Sequence, residues 1–241
     1  MTTISNVKVY DLEESVIAAR NAMRLTPPEY TEEEFNKSLE RAVKLTDSGI
    51  KTDISCHSNY LVGIRVSFDI TYPQYLTPEM QRYHFFDIVS SSSKMHRLCK
   101  MDLSKCTNKY VDPEIIRIEQ KKIDAYNIAM KNEPNNPNHL WELWRDEAYR
   151  LFMEMVSNCP LGLELFMRVS TNYKQLQTIY FQRKHHKLKE DWGAICEMIE
   201  HLPHSELIIG SQLIIGSHGT DSKEQVGASC DRIRPQKTPN L

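Results

Sequence analysis

The stretch from Tyr60 to Arg97 reads YLVGIRVSFDITYPQYLTPEMQRYHFFDIVSSSSKMHR, a strand-like run that leads directly into a cluster of His, Arg and Ser residues. Apolar and polar side chains alternate along its first third, and the apolar positions are Val62, Ile64, Val66, Phe68 and Ile70. A period of two is typical of a strand with one buried face. We therefore predict a strand that ends at Pro73, with any chemistry placed just after it.

The composition allows one sizeable domain and gives no electrostatic reason to expect a nucleic acid or a membrane as partner. The chain has 241 residues, 40% of them hydrophobic, and 30 basic against 32 acidic side chains give a formal charge of -2. No apolar run reaches the roughly 20 residues of a membrane span. The first residues, MTTISNVKVYDLEE, lack the pattern of a signal peptide. We expect a cytoplasmic protein.

The spacing of the cysteines and the absence of several familiar catalytic motifs argue against several classes of site. Six cysteines are scattered along the chain without a CxxC pair, which indicates neither a zinc site nor a disulfide framework. The chain also lacks a Gly-rich phosphate loop, a GxSxG elbow and an HExxH motif, which argues against P-loop and hydrolase functions. We interpret the cysteines as free or buried thiols and expect no metal.

Most of the remaining chain has helical spacing. A strand is predicted over residues 6–12, and helices are predicted, from apolar periodicity or helix-start residues, over 13–24, 31–46, 79–100, 112–131, 139–157, 161–184 and 188–201. The segment 79–100 is expected to form one or two helices that break near the serine run. The aromatic side chains of 139–157 are interpreted as core residues.

The chain changes character after Pro203. The pentapeptide LIIGS occurs twice, at residues 207–211 and 213–217, and the remainder has neither helical nor strand periodicity. We predict a single domain over residues 1–203 and a poorly ordered tail over residues 204–241.

Two polar clusters are candidates for ligand binding. Ser90 to Ser93 precede cationic side chains, so this cluster offers hydroxyl and cationic donors to an anion such as phosphate. In the second cluster, Asn172 and Arg183 share a helix face, where an amide and a guanidinium can hydrogen-bond the edge of a pyrimidine. Lys174 is a phosphate partner in this interpretation. The alternatives are a flexible loop for the first cluster and a solvated helix face for the second.

Taken in order, these segments resemble the flavin-dependent thymidylate synthase family, in a divergent, phage-type form. Arg82-Tyr83-His84 stands where the family has Arg-His-Arg, and Ser90-x-Ser92 followed by Arg97 resembles the rest of that signature after a short insertion. Thr171-Asn172-Tyr173-Lys174-Gln175-Leu176 and Arg183 resemble the family's Thr-x-Asn-x-Arg-Ser-Leu followed by Leu-Arg. The resemblance covers about residues 53–203.

The resemblance implies a fold, a reaction and a role for each motif residue. It implies an α+β, helix-rich fold with a small antiparallel sheet, assembled as a homotetramer whose sites use more than one subunit. FAD would take a hydride from NADPH, and methylenetetrahydrofolate would supply the carbon that converts dUMP to dTMP. Arg183 would be the catalytic residue that holds the deoxyuridylate base. The other implied site residues are His57, Arg82, His84 and Asn172 for the cofactor, and Ser90, Ser92, Arg97 and Lys174 for the nucleotide.

Departures from the signature leave two alternatives to the enzyme. Only Arg82 of the Arg-His-Arg triplet is in place, Lys174 stands where arginine is usual, and Met95 replaces a serine. One alternative is a noncatalytic descendant that binds a nucleotide or a protein partner. The other is a helical interaction protein without a ligand, which requires that the predicted site residues do not converge in space.

Overall fold

Four antiparallel strands form the sheet of the described residues, which are 1–52, 56–134 and 139–211 of a computed structural model. The strands are β1 (Thr3–Tyr10), β2 (Arg65–Pro73), β3 (Asp87–Ser91) and β4 (Glu164–Asn172). The sheet order is β1-β2-β4-β3, and all three strand pairs are antiparallel. Since helices make up most of the rest, the predicted helix-rich α+β fold with a small antiparallel sheet is confirmed.

The helices of the described residues differ widely in length. They are α1 (Leu12–Ala18), α2 (Glu32–Thr52), α3 (Thr77–Met80), α4 (Lys94–Arg97), α5 (Leu103–Cys106), α6 (Pro113–Lys131), α7 (His139–Asn158), α8 (Tyr173–Arg183), α9 (Lys189–Glu200) and α10 (Glu206–Ile209). Short 3₁₀ turns cover Asn21–Met23, Cys56–Val62, Gln74–Leu76 and Leu98–Lys100. Within the described ranges, no helix combines the length and the apolar character needed to cross a membrane.

Strand β2 has the predicted alternation. Its buried side chains at alternate positions share one face of the sheet and are Val66, Phe68, Ile70 and Tyr72. The strand ends at Pro73, as predicted. It begins only at Arg65, because the preceding residues form the 3₁₀ turn Cys56–Val62. The first strand is confirmed as well, although β1 starts and ends earlier than the predicted 6–12.

The predicted helix over 161–184 is wrong in its first half. Residues Glu164–Asn172 form β4, the strand that pairs with both β2 and β3. Leu165, Met167 and Val169 are buried on alternate positions, which is the period of a strand. A short apolar run of this kind fits a buried strand or a buried helix, and only the strand partners decide between them.

The predicted helices over 79–100 are also wrong in part. The serine run enters β3, an edge strand whose outer side is unpaired, and only the short α3, α4 and a 3₁₀ turn surround it. The predicted helix 13–24 is shorter too, since it ends at Ala18 and a separate 3₁₀ turn follows.

N-cap residues mark the starts of α2 and α6, as predicted. Thr31 Oγ1 accepts a hydrogen bond from the Glu34 N–H (3.2 Å), and the Asp112 carboxylate accepts one from the Glu114 N–H (2.7 Å). Helix α2 continues to Thr52, beyond the predicted end near Gly49. A glycine inside a helix costs only about 1 kcal/mol, which contacts with other elements offset. The bounds of α6, α7 and α9 match their predictions closely. The aromatic side chains of α7 are not the predicted core residues, because Tyr149 is exposed and the others are half-buried.

The first LIIGS copy belongs to the packed body, although it was predicted to lie in the tail. Leu207, Ile208 and Ile209 of α10 are buried against α2 and α8. Apolar periodicity over four residues is too short to be seen in sequence, so this helix was missed. Residues 212–241 of the predicted tail lie outside the described residues.

Glu119 of α6 is a buried carboxylate with an expected effect on stability. It is 1% exposed, and neither carboxylate oxygen accepts a hydrogen bond in the described part of the chain. Loss of hydration raises its pKa, an effect that the ammonium groups of Lys122, 3.7 Å away, and Lys94 only partly oppose. The folded state therefore binds this proton more tightly than the unfolded state does. Stability contributed by the protonated acid is present at low pH and falls as pH rises from the ordinary glutamate pKa of about 4.3 through the raised value.

We expect Glu119→Gln to raise the free energy of unfolding at about pH 8 by about 1 kcal/mol and to weaken its pH dependence. Urea denaturation at several pH values above pH 4 measures both effects. The control is Glu133→Gln, which changes an exposed carboxylate. An unchanged pH dependence in Glu119→Gln would contradict this account.

Candidate functional site

Arg183, at the end of α8, is held by an aromatic and acidic cluster. Its Nε–H donates to the Tyr83 hydroxyl (2.7 Å) and its Nη1 donates to Glu79 Oε2 (2.9 Å). The guanidinium lies over the indole of Trp192, 4.5 Å from the ring centroid. Trp192 Nε1–H donates to the same Glu79 oxygen (2.8 Å). The sequence gives no signal for Glu79, which is distant from Arg183 along the chain, or for Trp192, which belongs to no motif.

The cluster leaves some N–H donors of the Arg183 guanidinium without an acceptor among the described residues. The side chain is 14% exposed, so it is largely enclosed. Among the described residues, Nη2 has no hydrogen-bond acceptor, whereas Nε and Nη1 are occupied. A guanidinium has five N–H donors, and the two on Nη2 are the ones a planar acceptor edge can still take.

Asn172 and Lys174 lie at the other end of α8. Asn172 is buried, and its Oδ1 accepts from the Gln175 N–H (2.8 Å), so the side chain serves as the N-cap of the helix. Lys174 Nζ donates to Ser58 Oγ (2.6 Å) and Gln177 Oε1 (3.2 Å). The oxygen of Asn172 is thus used structurally, and Lys174 is tied to the turn before β2.

A first cleft, of about 370 Å³, opens between α2 and α8 beside Lys174. Its walls are mainly apolar or uncharged and comprise Leu45, Thr46, Gly49, Ile50, Ser58, Lys174, Gln177, Thr178, Phe181 and Gln182. We call it the α2–α8 cleft. Lys174 is the only member of its lining that the sequence predicted as a site residue.

A second cleft, of about 460 Å³, lies where β2 and β3 end and β4 begins. We call it the strand-end cleft, and its polar lining includes Gln74, Thr77, Ser91, Ser92 and Lys94. Gln74 Oε1 and Thr77 Oγ1 are buried atoms without a hydrogen-bond partner in the described part of the chain. Buried polar atoms normally have partners, so these two are ready for a ligand or water. Gln74 follows the predicted strand end at Pro73 directly and Thr77 lies four residues after it, but neither belongs to a motif that marks it in the sequence.

The serines have unequal roles in this region. Ser92 Oγ accepts from the Phe166 N–H (3.0 Å), and the Ser92 N–H donates to the Phe166 carbonyl (2.8 Å). These bonds extend the pairing of β3 with β4 and leave the Ser92 O–H as a donor. Ser90 is exposed and pairs opposite Arg168 on β4. Ser92 therefore lines the strand-end cleft, whereas Ser90 does not.

The remaining predicted cations are exposed. Arg82, His84 and Arg97 form neither a hydrogen bond nor an ion pair with any residue that the structure describes. Phe85 follows His84 and is also exposed. The side chain of His57 lies outside the described residues.

One chain does not bring all the predicted residues together. Ser92 pairs with Phe166, near the start of β4, whereas Lys174 follows Asn172 at its end. These two β4 residues are six positions apart, which separates them by about 20 Å at the rise of an extended strand. Arg183 contacts Glu79, the neighbour of Pro78 in the strand-end cleft. Gln182, which precedes Arg183, lines the α2–α8 cleft, and Arg183 itself lines neither cleft. Ser92 and Lys174 therefore belong to different clefts.

The half-buried thiol of Cys159 and the buried thiol of Cys196 are unsuited to nucleophilic catalysis. Burial raises the pKa of Cys159 and that of Cys196 to about 11 in both cases. A thiol with such a pKa is almost fully protonated at neutral pH and reacts slowly. In the three described ranges, no group of His, Cys, Asp and Glu side chains is arranged to hold a metal ion.

Comparison with solved structures identifies flavin-dependent thymidylate synthases among the neighbours of this fold. The ThyX enzyme from Helicobacter pylori, in a crystal structure with FAD and dUMP, has a TM-score of 0.54 and 16% identity, with 86% of this chain and 99% of that chain covered. A second structure of this enzyme with FAD and dUMP has the same score and identity and covers 88% and 97%. The UMP/dUMP methylase PolB from Streptomyces cacaoi, bound with 5-Br dUMP, has a TM-score of 0.50 and 12% identity, with 83% and 88% covered.

These likenesses show the fold, which this chain shares over nearly the whole length of the neighbours. No family model and no curated protein matches the sequence.

Proposed function

We propose that the chain is a flavin-dependent thymidylate synthase-like enzyme that methylates dUMP to dTMP with methylenetetrahydrofolate and NADPH, through FAD. The observation that carries the proposal is the strand-end cleft, whose two unpartnered buried oxygens lie beside Lys94 and Ser92. The fold supports it, because the neighbours named above bind FAD and dUMP.

The strand-end cleft has the polar groups that a nucleoside monophosphate requires. Lys94 and the Ser92 hydroxyl are donors for a phosphate. Gln74 Oε1 is an acceptor that needs a donor, which a sugar hydroxyl supplies. A ligand that satisfies both types of group is anionic at one end and hydroxylated in the middle. In this proposal the Nη2 donors of Arg183 hold the pyrimidine edge.

The exposed turn after α3 fits a flavin dinucleotide. Arg82 and His84 are cationic or polar side chains without a partner in the described structure, and Phe85 offers an exposed aromatic face. Phosphates and a planar ring are the parts of FAD that such groups bind. FAD, when bound, would carry the hydride from NADPH to the nucleotide. Ser90 and Arg97, which are also exposed, are further donors in this proposal.

The separation of the two regions supports an oligomeric site. Lys174 lies about 20 Å along β4 from the serine end of the strand, too far to contact the same small nucleotide. We propose that the chain forms a homotetramer in which a site takes residues from more than one subunit. His57 and Asn172 then belong, with Lys174, to the part that a neighbouring subunit provides.

A noncatalytic nucleotide-binding descendant is the second candidate. The observation that favours it is that two guanidinium donors of Arg183 are engaged within the chain, Nε by the Tyr83 hydroxyl and Nη1 by Glu79. His84, which stands in the place of the family's second arginine, also favours the noncatalytic descendant.

We expect the purified protein, incubated with FAD and passed through gel filtration, to retain flavin absorption and to form dTMP when all substrates are present. Arg82→Ala should weaken FAD binding at least tenfold, about 1.4 kcal/mol, because a charge-assisted contact is lost. Arg41→Ala, which changes an exposed arginine on α2, is the matched control.

The possible outcomes separate the candidates. dUMP binding, measured by calorimetry, without flavin retention or dTMP would support the noncatalytic descendant. A protein that binds neither FAD nor dUMP would refute both candidates.

A further inference from the structure

The first LIIGS copy shows how this pentapeptide docks. Leu207, Ile208 and Ile209 are buried between α2 and α8. Two side chains of these helices bind its backbone: Thr46 Oγ1 donates to the Leu207 carbonyl (3.1 Å) and Gln177 Nε2 donates to the Ile208 carbonyl (3.1 Å). Three apolar side chains and two carbonyls are thus recognised together.

The last two residues of the first copy, Gly210 and Ser211, lead the chain away from its contacts between α2 and α8. Gly210 has φ +86°, and a Cβ there would lie 2.9 Å from Ile50 Cδ1, so the position requires glycine. The Ser211 N–H donates to Asp47 Oδ1 (2.8 Å), and its hydroxyl donates to Asp47 Oδ2. Each residue of the pentapeptide therefore has a structural role, and the same five residues recur at 213–217.

The α2–α8 cleft begins where the first copy ends. Ile50, which Gly210 contacts, and Gln177, which binds Ile208, both line the cleft. Its wall also contains Phe181, a large apolar side chain that is 41% exposed. Only Gln212 separates Ser211 from Leu213, and two extended residue steps reach about 7 Å. The second copy can therefore enter the cleft without any rearrangement of α10.

We propose that the second LIIGS copy, residues 213–217, docks into the α2–α8 cleft of its own chain. Two observations identify residues 213–217 as the occupant. Their sequence duplicates that of residues 207–211, which pack on α2 and α8, and they follow Ser211, which lies next to the cleft. The cleft provides an apolar wall from Ile50 and Phe181, and the Thr178 hydroxyl, which donates to the Lys174 carbonyl (3.3 Å), can accept a hydrogen bond from the segment. Burial of its aliphatic side chains favours docking, and the short connection makes the entropic cost small.

The inference goes beyond the proposed function and stands without it, because it rests only on the groove and on the repeated sequence.

A photo-crosslinking experiment in the full chain tests the proposal. The photoreactive analogue p-benzoylphenylalanine replaces Phe181 in the cleft wall, and mass spectrometry locates the crosslinks after irradiation. We expect crosslinks within one chain to residues 213–217. The matched control places the same analogue at Phe85, an exposed phenylalanine on the α3–β3 turn, where these crosslinks should be absent.

Tail variants make the result specific. Ile214→Asp with Ile215→Asp should reduce crosslinking at least tenfold, whereas Val226→Asp, in the tail outside the repeat, should leave it unchanged. Crosslinks to other tail segments, or none, would overturn the proposal. Crosslinks that join two chains, visible as a dimer on a denaturing gel, would also overturn it, because the occupant would then be a second copy of the protein. Hydrogen exchange of residues 213–217 provides a second measurement without any change in the cleft, and exchange at the rate of an unstructured peptide would contradict docking.

Discussion

A chain that stops after Pro203 is expected to lose about 5 kcal/mol of unfolding free energy and to be largely unfolded at 37 °C. The deletion removes Leu207, Ile208 and Ile209, which are all buried. Each such side chain contributes about 1.5–3 kcal/mol, and the total approaches the whole stability of a typical domain. The carbonyl partners of Thr46 and Gln177 are lost as well.

The matched control is a chain that stops after Ser211. It keeps α10 and the hydrogen bonds between Ser211 and Asp47, so its melting temperature should lie far above that of the shorter chain. Circular dichroism during heating measures both chains against the full-length protein. Equal melting temperatures for the chains that end at 203 and at 211 would show that the first repeat does not stabilise the fold.

Replacing Arg183 by alanine is expected to lower the affinity for dUMP about 100-fold and the free energy of unfolding by about 2 kcal/mol. The two effects have different causes. Affinity falls because the Nη2 donors are removed, and stability falls because Glu79, which is mostly enclosed, loses its ion pair while keeping the Trp192 donor.

Glu79→Gln separates these effects. It removes the same ion pair and leaves the guanidinium in place, so it should lower stability by about 1 kcal/mol and change dUMP affinity by less than about threefold. Calorimetric titration with dUMP and urea denaturation give the two quantities for each variant. If both variants lost affinity in proportion to stability, Arg183 would act only through folding, and its assignment to the pyrimidine would be wrong.

The sequence predicted elements whose signal lies within a few residues. The alternation in β2 predicted its buried face, and Thr31 and Asp112 predicted the starts of α2 and α6, because a cap acts on the next turn of its own helix. The order of motifs predicted the fold that the structural neighbours share. Of the predicted site residues, Arg183 is hydrogen-bonded to Tyr83 and Glu79 and Ser92 lines the strand-end cleft, whereas Arg82, His84, Ser90 and Arg97 are exposed.

Tertiary structure alone decided the features that join distant segments. Residues 164–172 have no local property that excludes a helix, and they form a strand because β2 and β3 lie on either side. The strand-end cleft arises because Gln74, Thr77 and Lys94 meet there, and Glu79 pairs with Arg183 across the fold. Helix caps and strand periods depend on neighbours in sequence, so the sequence by itself determined them. Pairing of β4, burial of α10 and the occupied donors of Arg183 depend on free energies gained only when remote segments pack together.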